Sequence, residues 1–481
     1  MTFWELFENI SYRLWGNESR MSDEVRGVAA ELARVETGTL FVCTCTALRD
    51  GHNCVTAAYH AGCRVFLGQH PVDLPADAVL LTVEDTEALL GELAARFWGY
   101  PARSLTVVGI TGTFGKTSVA YTLCALLERA DRKTALLCSD GVRIGSTLCE
   151  VGDIVPDAAE LQRILRRFCD AGVEVAVLEL SAYMLAHKAA FSIPFAVVLL
   201  TNLAERHIGP NEFRDFDAYA AAKLTLLHSG APIAVLPHGL SHLAASSRVL
   251  TFGEGGDVFA ENASDFDNWS DVGTRFDLVL PSGEKEPVFL PVPGDVAIEN
   301  ALAASAAAVA LGVVPQQIFK RLSRIHPCGR MECVGIYRRR WIFVDAAFEA
   351  DSLERALRLL RKRTVGRLTV VIGAVGGRAR FRRAPLGRVA TTFADFAYFT
   401  ADDPDFEDPA AICAEMTAEA DLVRCCTVPD RAAAIRRAIL EMRPGGVLLL
   451  AGKGGSRSQL INGIRVPFEE RDVVAETVAL L

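Results

Sequence analysis

An α/β fold built on parallel sheets is what this sequence predicts, and three observations carry it. Short apolar runs alternate with helix-patterned segments along the whole chain, as where "LTVVGIT" (105–111) leads into "KTSVAYTLCALLERA" (116–130). Alternation of this kind gives a mostly parallel sheet covered by helices on both faces. The chain has 481 residues, 51% of them hydrophobic, so large cores can be buried. At about 150 residues per domain this length allows roughly three domains.

The elements follow in order. Residues 1–103 contain strand-like runs at "GTLFVCT", "CRVFLG" and "AVLLTV", separated by helical or turn segments, and form a first α/β domain. "GYPARS" (99–104) reads as a linker. A second domain, 104–327, continues with the buried strands "TALLCS", "VEVAVLEL", "FAVVLLTN" and "APIAVLP", and with helices such as "AAELQRILRRFCDAG", whose apolar residues recur at helical spacing. "SRIHPCGRMECV" marks the next boundary. The third domain, 328–481, alternates "RWIFVDAA", "LTVVIGAVGG", "FADFAYFTAD" and "GGVLLLAGKGG" with further helices.

Composition limits the possible partners. The formal net charge is −9, which argues against a general nucleic-acid or membrane-surface binder. The 13 cysteines are scattered, with no C-x-x-C pair, as fits a reducing cytoplasm. The opening residues carry acids and no small-residue cleavage site, so no signal peptide is expected. "ALAASAAAVALGVV" and the other long apolar stretches are too short to span a bilayer. The expected partners are therefore small molecules, with no nucleic acid and no membrane, and the chain is expected to act as a cytoplasmic monomer.

The chemistry starts at "VVGITGTFGKTSVAYTL" (107–123). The usual phosphate-loop pattern G-x-x-x-x-G-K-[ST] would place a glycine at position 110. Ile110 stands there, and the glycines are Gly109 and Gly112. The context is nevertheless that of a phosphate loop, with a buried strand, a glycine-rich turn and then a helix. Gly112 and Gly115 permit unusual backbone angles and close approach of phosphates. Lys116 offers a charge and Thr117 a hydroxyl for Mg²⁺. The helix start aims free N–H groups at an anion.

The shifted glycines, with Thr113, resemble the G-T-x-G-K-[ST] loop of the Mur ligase family, ATP-dependent enzymes that add amino acids to peptidoglycan precursors. Further segments resemble that family in its own order: "LELSAYML" (178–185), "LTNLAERHIGPNEFRDFDAYAAAKLTLL" (200–227), "GDVAIENALAASAAA" (294–308), "PCGRMECV" (327–334), "VDAAFEADSLERAL" (344–357) and "LLLAGKGG" (448–455). The closest branch is the ligase that adds the third residue of the stem peptide. The resemblance implies a three-domain architecture with a central P-loop parallel-sheet domain and a Rossmann-like C-terminal domain. The N-terminal domain would bind the UDP substrate and the C-terminal one the amino acid.

The resemblance also implies a reaction and its residues. ATP converts a peptide carboxylate to an acyl phosphate, which the incoming amine attacks. Gly112, Thr113, Gly115, Lys116, Thr117 and Ser118 would hold the phosphates. Asn300, Arg330 and Asp345 would lie around the rest of the nucleotide. Thr117 and Glu179 would hold a first Mg²⁺, and His207 a second. Lys223 would carry a carbamate, which suits a metal that prefers oxygen ligands. Ser181 and Lys188 fall on the substrate side. Taken alone, Glu179 reads as a helix cap, His207 as a structural histidine and Lys223 as a surface lysine.

Several positions depart from the family pattern. Phe114 replaces an Asn of the loop, Arg206 an Asp before His207, and Phe348 a His. Ile154-Val155-Pro156 stands for T-T-P, and Gly454-Gly455-Ser456 for G-H-E. The D-N-P-[RKA] motif appears as Asp402-Asp403-Pro404-Asp405. The nucleotide machinery is thus better kept than the substrate motifs. Three acids facing the incoming amino acid would repel a second carboxylate and favour lysine or ornithine over diaminopimelate. The alternative is a solvated acidic turn. In "GGRARFRRAP", Arg378 or Arg383 would clamp the α-carboxylate. Two other readings stay open: a diverged nucleotide-binding paralogue with a regulatory or scaffold role, and a folylpolyglutamate-synthase-like ligase. The N-terminal α/β domain and "GRMECV" count against the latter.

Overall fold

The computed structural model describes all residues except 47–48, 129, 146, 150–155, 206–207, 210–211, 266–271 and 326–328. The chain packs as two compact units, and neither is a single stretch of sequence. The first comprises Met1–Glu261, Leu278–Glu286 and Glu299–Arg321; the second comprises Asn262–Asp277, Pro287–Ile298 and Leu322–Leu481.

The first unit contains two large sheets. In the N-terminal one the strands lie in the order Arg13–Gly16, Val79–Thr82, Val65–Gly68, Thr39–Val42, Gly27–Ala29, and all but the first run parallel. The eight-stranded sheet has the order Thr147–Cys149, Gly141–Ile144, Thr134–Cys138, Val175–Glu179, Thr106–Thr111, Val197–Leu200, Ile233–Pro237, Arg248–Phe252. Its last six strands are mutually parallel. The first two form an antiparallel edge that the apolar-run pattern did not reveal.

The central strand explains why such runs are unbroken in the sequence. Val107 packs with Leu161, Ile164, Leu165 and Phe168 of the Ala158–Asp170 helix. Its neighbour Val108 points to the other face, and both are fully buried. A strand covered on both faces has no polar side to alternate with. Leu90, Leu93 and Ala94 of the Thr86–Phe97 helix share a core with Ala158 and Ala159, which joins the two sheets' helical layers. "GYPARS" is a built turn, with Pro101 and Ala102 buried after a left-handed Tyr100.

The second unit is organised around one six-stranded sheet, ordered Glu332–Tyr337, Arg340–Asp345, Val447–Ala451, Leu368–Ala374, Phe396–Ala401, Cys425–Thr427. Only the first pairing is antiparallel. The Ala350–Arg361, Arg383–Phe393 and Pro409–Met416 helices cover one face, and Arg431–Glu441 and Glu470–Ala479 cover the other. The loops after Ala374 and Ala451 leave adjacent strands toward opposite faces. That makes a switch point, where parallel sheets place their ligands. Among the described residues no helix is long and apolar enough to cross a membrane.

Candidate active site

The Thr106–Thr111 strand is also a switch point, because its neighbours on either side are the ends of Val175–Glu179 and Val197–Leu200. Its loop runs directly into the Lys116–Glu128 helix. Both loop glycines are required by geometry. Gly112 has φ +144, and a Cβ there would lie 1.9 Å from Thr201 Oγ1. Gly115 has φ +80, and its Cβ would lie 2.1 Å from Asn300 Oδ1. Asn300 thus stands against the loop.

The loop is fixed from the next strand end. Phe114 N–H donates to Asn202 Oδ1 at 2.9 Å, and Phe114 C=O accepts from Thr201 Oγ1 at 2.6 Å. Thr113 Oγ1 accepts from the amide of Ala204 at 3.0 Å and from the Tyr219 hydroxyl at 3.2 Å. Backbone and flanking side chains therefore hold the turn although Phe114 supplies no polar group of its own. Ser118 is half-buried in the first helical turn.

Three of the candidate side chains converge on this loop. Lys116 Nζ donates to the carbonyls of Gly112 and Thr113 at 3.0 and 3.2 Å. Thr117 Oγ1 donates to Glu179 Oε2 at 2.7 Å, and the Ser139 amide donates to the same oxygen at 3.3 Å. Lys223 Nζ donates to Gly112 C=O at 2.7 Å. Lys223 is no surface lysine; it is 1% exposed, over the Tyr219 ring. Burial, reinforced by the Lys116 charge, lowers its pKa to about 6. Its amine is neutral at pH 7. His207 and Arg206 lie outside the described residues, as do Ile154 and Val155.

The expected substrate-side residues have structural partners. Ser181 caps the Ala182–Ala186 helix through Met184 N–H at 3.1 Å. Lys188, in the left-handed region at φ +54, pairs with Asp85 of the N-terminal sheet's layer.

In the second unit, Asp345 ends a parallel strand and accepts from Met331 N–H at 2.6 Å. Burial pushes its carboxyl up, opposed by the charge of Arg330. Arg330 therefore accompanies Asp345. Arg383 is 1% exposed; its Nη1 and Nη2 each reach Glu407 at 2.7 Å, and Nη1 reaches Glu415 at 2.9 Å. A guanidinium engaged in this way has no fork left for a substrate carboxylate. Glu407 also accepts from Gly377 N–H at 2.8 Å, fixing the loop that carries Arg378.

The acidic turn is where the expectation is corrected. Lys453 Nζ bridges Asp402 at 2.9 Å and Asp403 at 2.8 Å. Burial pushes the Asp402 carboxyl up, but Lys453 and Arg431 overcompensate and hold it below its usual range. Asp405, at φ +51, accepts from Gly463 N–H at 2.7 Å and anchors the Ser458–Ile461 and Ile464–Pro467 hairpin. Each of the three acids is thus engaged within the protein, so the argued preference for lysine or ornithine, which took them as facing the substrate, loses its basis. Lys453, Glu407, Ser139, Tyr219 and the Thr201-Asn202 pair were not singled out from sequence. Four of these five lie inside the quoted motifs or beside Asp405, yet nothing local names their partners.

Residues 110–308 match the Mur ligase middle domain, and residues 329–454 match the family described as Mur ligase, glutamate ligase domain. A UDP-N-acetylmuramoyl-L-alanyl-D-glutamate--2,6-diaminopimelate ligase of Syntrophomonas wolfei subsp. wolfei is 32% identical over 488 residues, covering 98% of each chain. The chain belongs to the Mur ligase family. Like that family it is an ATP-dependent ligase. A ligase of the same description from Caldanaerobacter subterraneus subsp. tengcongensis is 29% identical over 480 residues, 99% of this chain and 98% of that one. Among solved Mur ligases, a diaminopimelate ligase structure aligns over 100% of this chain and 99% of its own at TM-score 0.66 and 23% identity. A folylpolyglutamate synthase of Mycobacterium tuberculosis shares the fold over only 75% of this chain, at TM-score 0.61 and 17% identity.

Proposed function

We propose that this ligase joins an amino acid to the carboxylate of a UDP-N-acetylmuramoyl-peptide-like acceptor, through an acyl phosphate, in peptidoglycan precursor synthesis. The observation that carries the reading is the convergence of Lys116, the Thr117–Glu179 pair and the buried Lys223 on one glycine-rich loop at a strand end. The reading includes cytoplasmic action on small molecules by a monomer.

Gly112, Thr113, Gly115, Lys116 and Ser118 cradle the ATP phosphates, and Lys116 meets charge developing on the transferred phosphoryl group. Asn300, against the same loop, adds to that site; Arg330 and Asp345, of the second unit, are assigned to the nucleotide by resemblance alone. The hydroxyl of Thr117 and the carboxylate of Glu179 are hard oxygen donors side by side, a donor set that fits Mg²⁺. Bound there, Mg²⁺ would neutralise phosphate charge. By resemblance alone, His207 would hold a second Mg²⁺. Lys223 enters as a carbamate: its neutral amine attacks CO₂, an N–C bond forms, one proton leaves, and the product is an anionic oxygen ligand.

In the reaction, an acceptor carboxylate oxygen attacks the γ-phosphorus and ADP departs. The incoming amine then attacks the acyl carbon, the C–O bond breaks, and phosphate leaves as the amine loses a proton. Arg378 is the arginine we assign to the α-carboxylate of the amino acid, on a loop that Glu407 makes rigid.

The test is phosphate release with UDP-muramoyl dipeptide, ATP and a panel that includes diaminopimelate, lysine and ornithine. Release that depends on both the acceptor and one amino acid is expected. Nucleotide binding without release for any combination would instead favour the regulatory paralogue. Lys223→Ala should lose activity and regain part of it with short carboxylates; full activity in that variant would remove Lys223 from the reaction.

A further inference from the structure

In the second unit the amino ends of the parallel strands lie opposite the ends that carry Asp345 and the Arg378 loop, and three loops meet there in a row. Gly445 N–H donates to Arg339 C=O at 2.6 Å, Gly366 N–H to Gly445 C=O at 3.1 Å, and Val447 N–H to Arg367 C=O at 2.9 Å. The approach is close: a Cβ on Gly366 would lie 2.7 Å from the Gly445 carbonyl carbon. Each of these locked loops brings exposed cations, Arg338 and Arg339 from the first, Arg443 from the second, Lys362 and Arg367 from the third. Among the described residues no ion pair holds Arg339, Lys362 or Arg443. Two acids at this end are engaged elsewhere, Asp395 by Arg361 and the Leu368 amide, and Glu441 by Arg437 and the Tyr398 hydroxyl. Aliphatic side chains stand at the same end. Val365, between Lys362 and Arg367, is 95% exposed, and Leu422 and Val423, just before the Cys425–Thr427 strand, are 69% and 88% exposed. One such residue is ordinary; three beside a cluster of cations are a surface built for contact.

We propose that this end of the second unit docks on the surface of an anionic phospholipid bilayer. Arg339, Lys362 and Arg443 meet headgroup phosphates, and Val365, Leu422 and Val423 enter the interface between headgroups and acyl chains. Charge complementarity selects an anionic partner. The aliphatic side chains select lipid over nucleic acid, whose bases are held on exposed aromatic faces. Cations near an anionic leaflet each add affinity, within about a Debye length of it. A few short aliphatic chains add a reversible anchor, not a span. The net charge of −9 describes the whole chain and does not bear on one face of it. Docking in this way leaves the carboxyl ends of the same strands, where parallel sheets bind their ligands, turned toward water. The proposal stands apart from the ligase reading and does not need it.

The test is flotation of the full chain with vesicles of phosphatidylglycerol and phosphatidylcholine in equal parts, against vesicles of phosphatidylcholine alone. At low ionic strength the wild type should float with the mixed vesicles only, and high salt should release it. The triple variant Arg339→Glu, Lys362→Glu, Arg443→Glu should bind roughly a hundredfold more weakly, at about fivefold for each cation lost. The charge-conserving variant Arg339→Lys, Lys362→Arg, Arg443→Lys should bind like the wild type. Val365→Ser, Leu422→Ser, Val423→Ser should weaken binding roughly tenfold and keep its salt dependence. Melting temperatures check that each variant is folded; all six side chains lie at the surface, so they should change little. Wild type that does not float with the mixed vesicles overturns the proposal, and so does equal flotation by the wild type and the glutamate variant. Vesicle binding indifferent to the serine substitutions, or binding to an RNA duplex as tight as to the vesicles, would mark a general polyanion patch and overturn the assignment to lipid.

Discussion

Lys223 is the residue whose chemistry the fold alters most. Its folded pKa is about 6 against an ordinary 10.5, so between those values the unfolded chain holds a proton that the folded one has lost. Stability therefore rises with pH across that window, and the penalty for burying this amine is complete below pH 6. Lys223→Met is expected to remove the pH-dependent part. Its stability relative to wild type, followed by urea unfolding, should be most favourable near pH 6 and should decline toward pH 10; a pH-independent difference would show that the amine is not neutral in the folded state. Lys116 makes a different prediction. Its side chain is half-buried at the loop, bonded to the carbonyls of Gly112 and Thr113, and is no part of the apolar core, so Lys116→Ala should leave the melting temperature almost unchanged. Nucleotide affinity should fall by about 1.5–3 kcal/mol, the value of hydrogen bonds to charged groups. Calorimetry with Mg²⁺ and ADP measures both, and unaltered affinity would move the phosphates elsewhere.

At the scale of elements, the glycine loop and the acidic turn differ in how far they could be read from sequence. The loop was legible because glycine, lysine and threonine act locally, between a buried strand and a helix that periodicity announces. Gly115→Ala should cost about 1–3 kcal/mol from the left-handed backbone alone, more than an ordinary loop substitution. It should also displace Asn300; an alanine protein as stable as wild type would contradict the contact. The acidic turn was misread because the partners its carboxylates engage arrive from 50 or more residues away: the Lys453 cation on Asp402 and Asp403, and the Gly463 N–H on Asp405. For the same reason Arg383 resembled a free clamp until Glu407 and Glu415 were seen on it. The edge hairpins at Gly141–Cys149 and Ser458–Pro467 escaped because they are short and half-polar, with little apolar periodicity. Asp405→Ala removes the acceptor for Gly463 N–H and should cost about 1 kcal/mol. Faster hydrogen exchange at Gly463 would register the loss, whereas Asp405→Asn should retain most of the protection.

At the scale of the whole molecule, the sequence conveyed the alternation that builds each sheet, but the partition of the chain came only from long-range packing. Stability should follow that partition. Arg431 and Glu470 form a pair that is almost wholly inaccessible, at 2.7 Å, within the second unit. Arg431→Ala leaves a buried charge without its partner, and such losses cost about 3–5 kcal/mol. Exchange should accelerate in the Arg340–Asp345 and Val447–Ala451 strands and stay slow in Thr106–Thr111; a uniform rise would mean that the units unfold together. The interleaving of the units also bears on inheritance. The path passes from one unit to the other five times between residues 261 and 322, and Val272 and Val292, from before the last crossing, pack on the core of the second unit. A gene fusion that replaced everything after residue 327 would import a C-terminal lobe without the segments that finish its core. New specificities for the incoming amino acid are therefore easier to reach by point substitution around Arg378, on the proposed assignment, than by swapping the lobe wholesale.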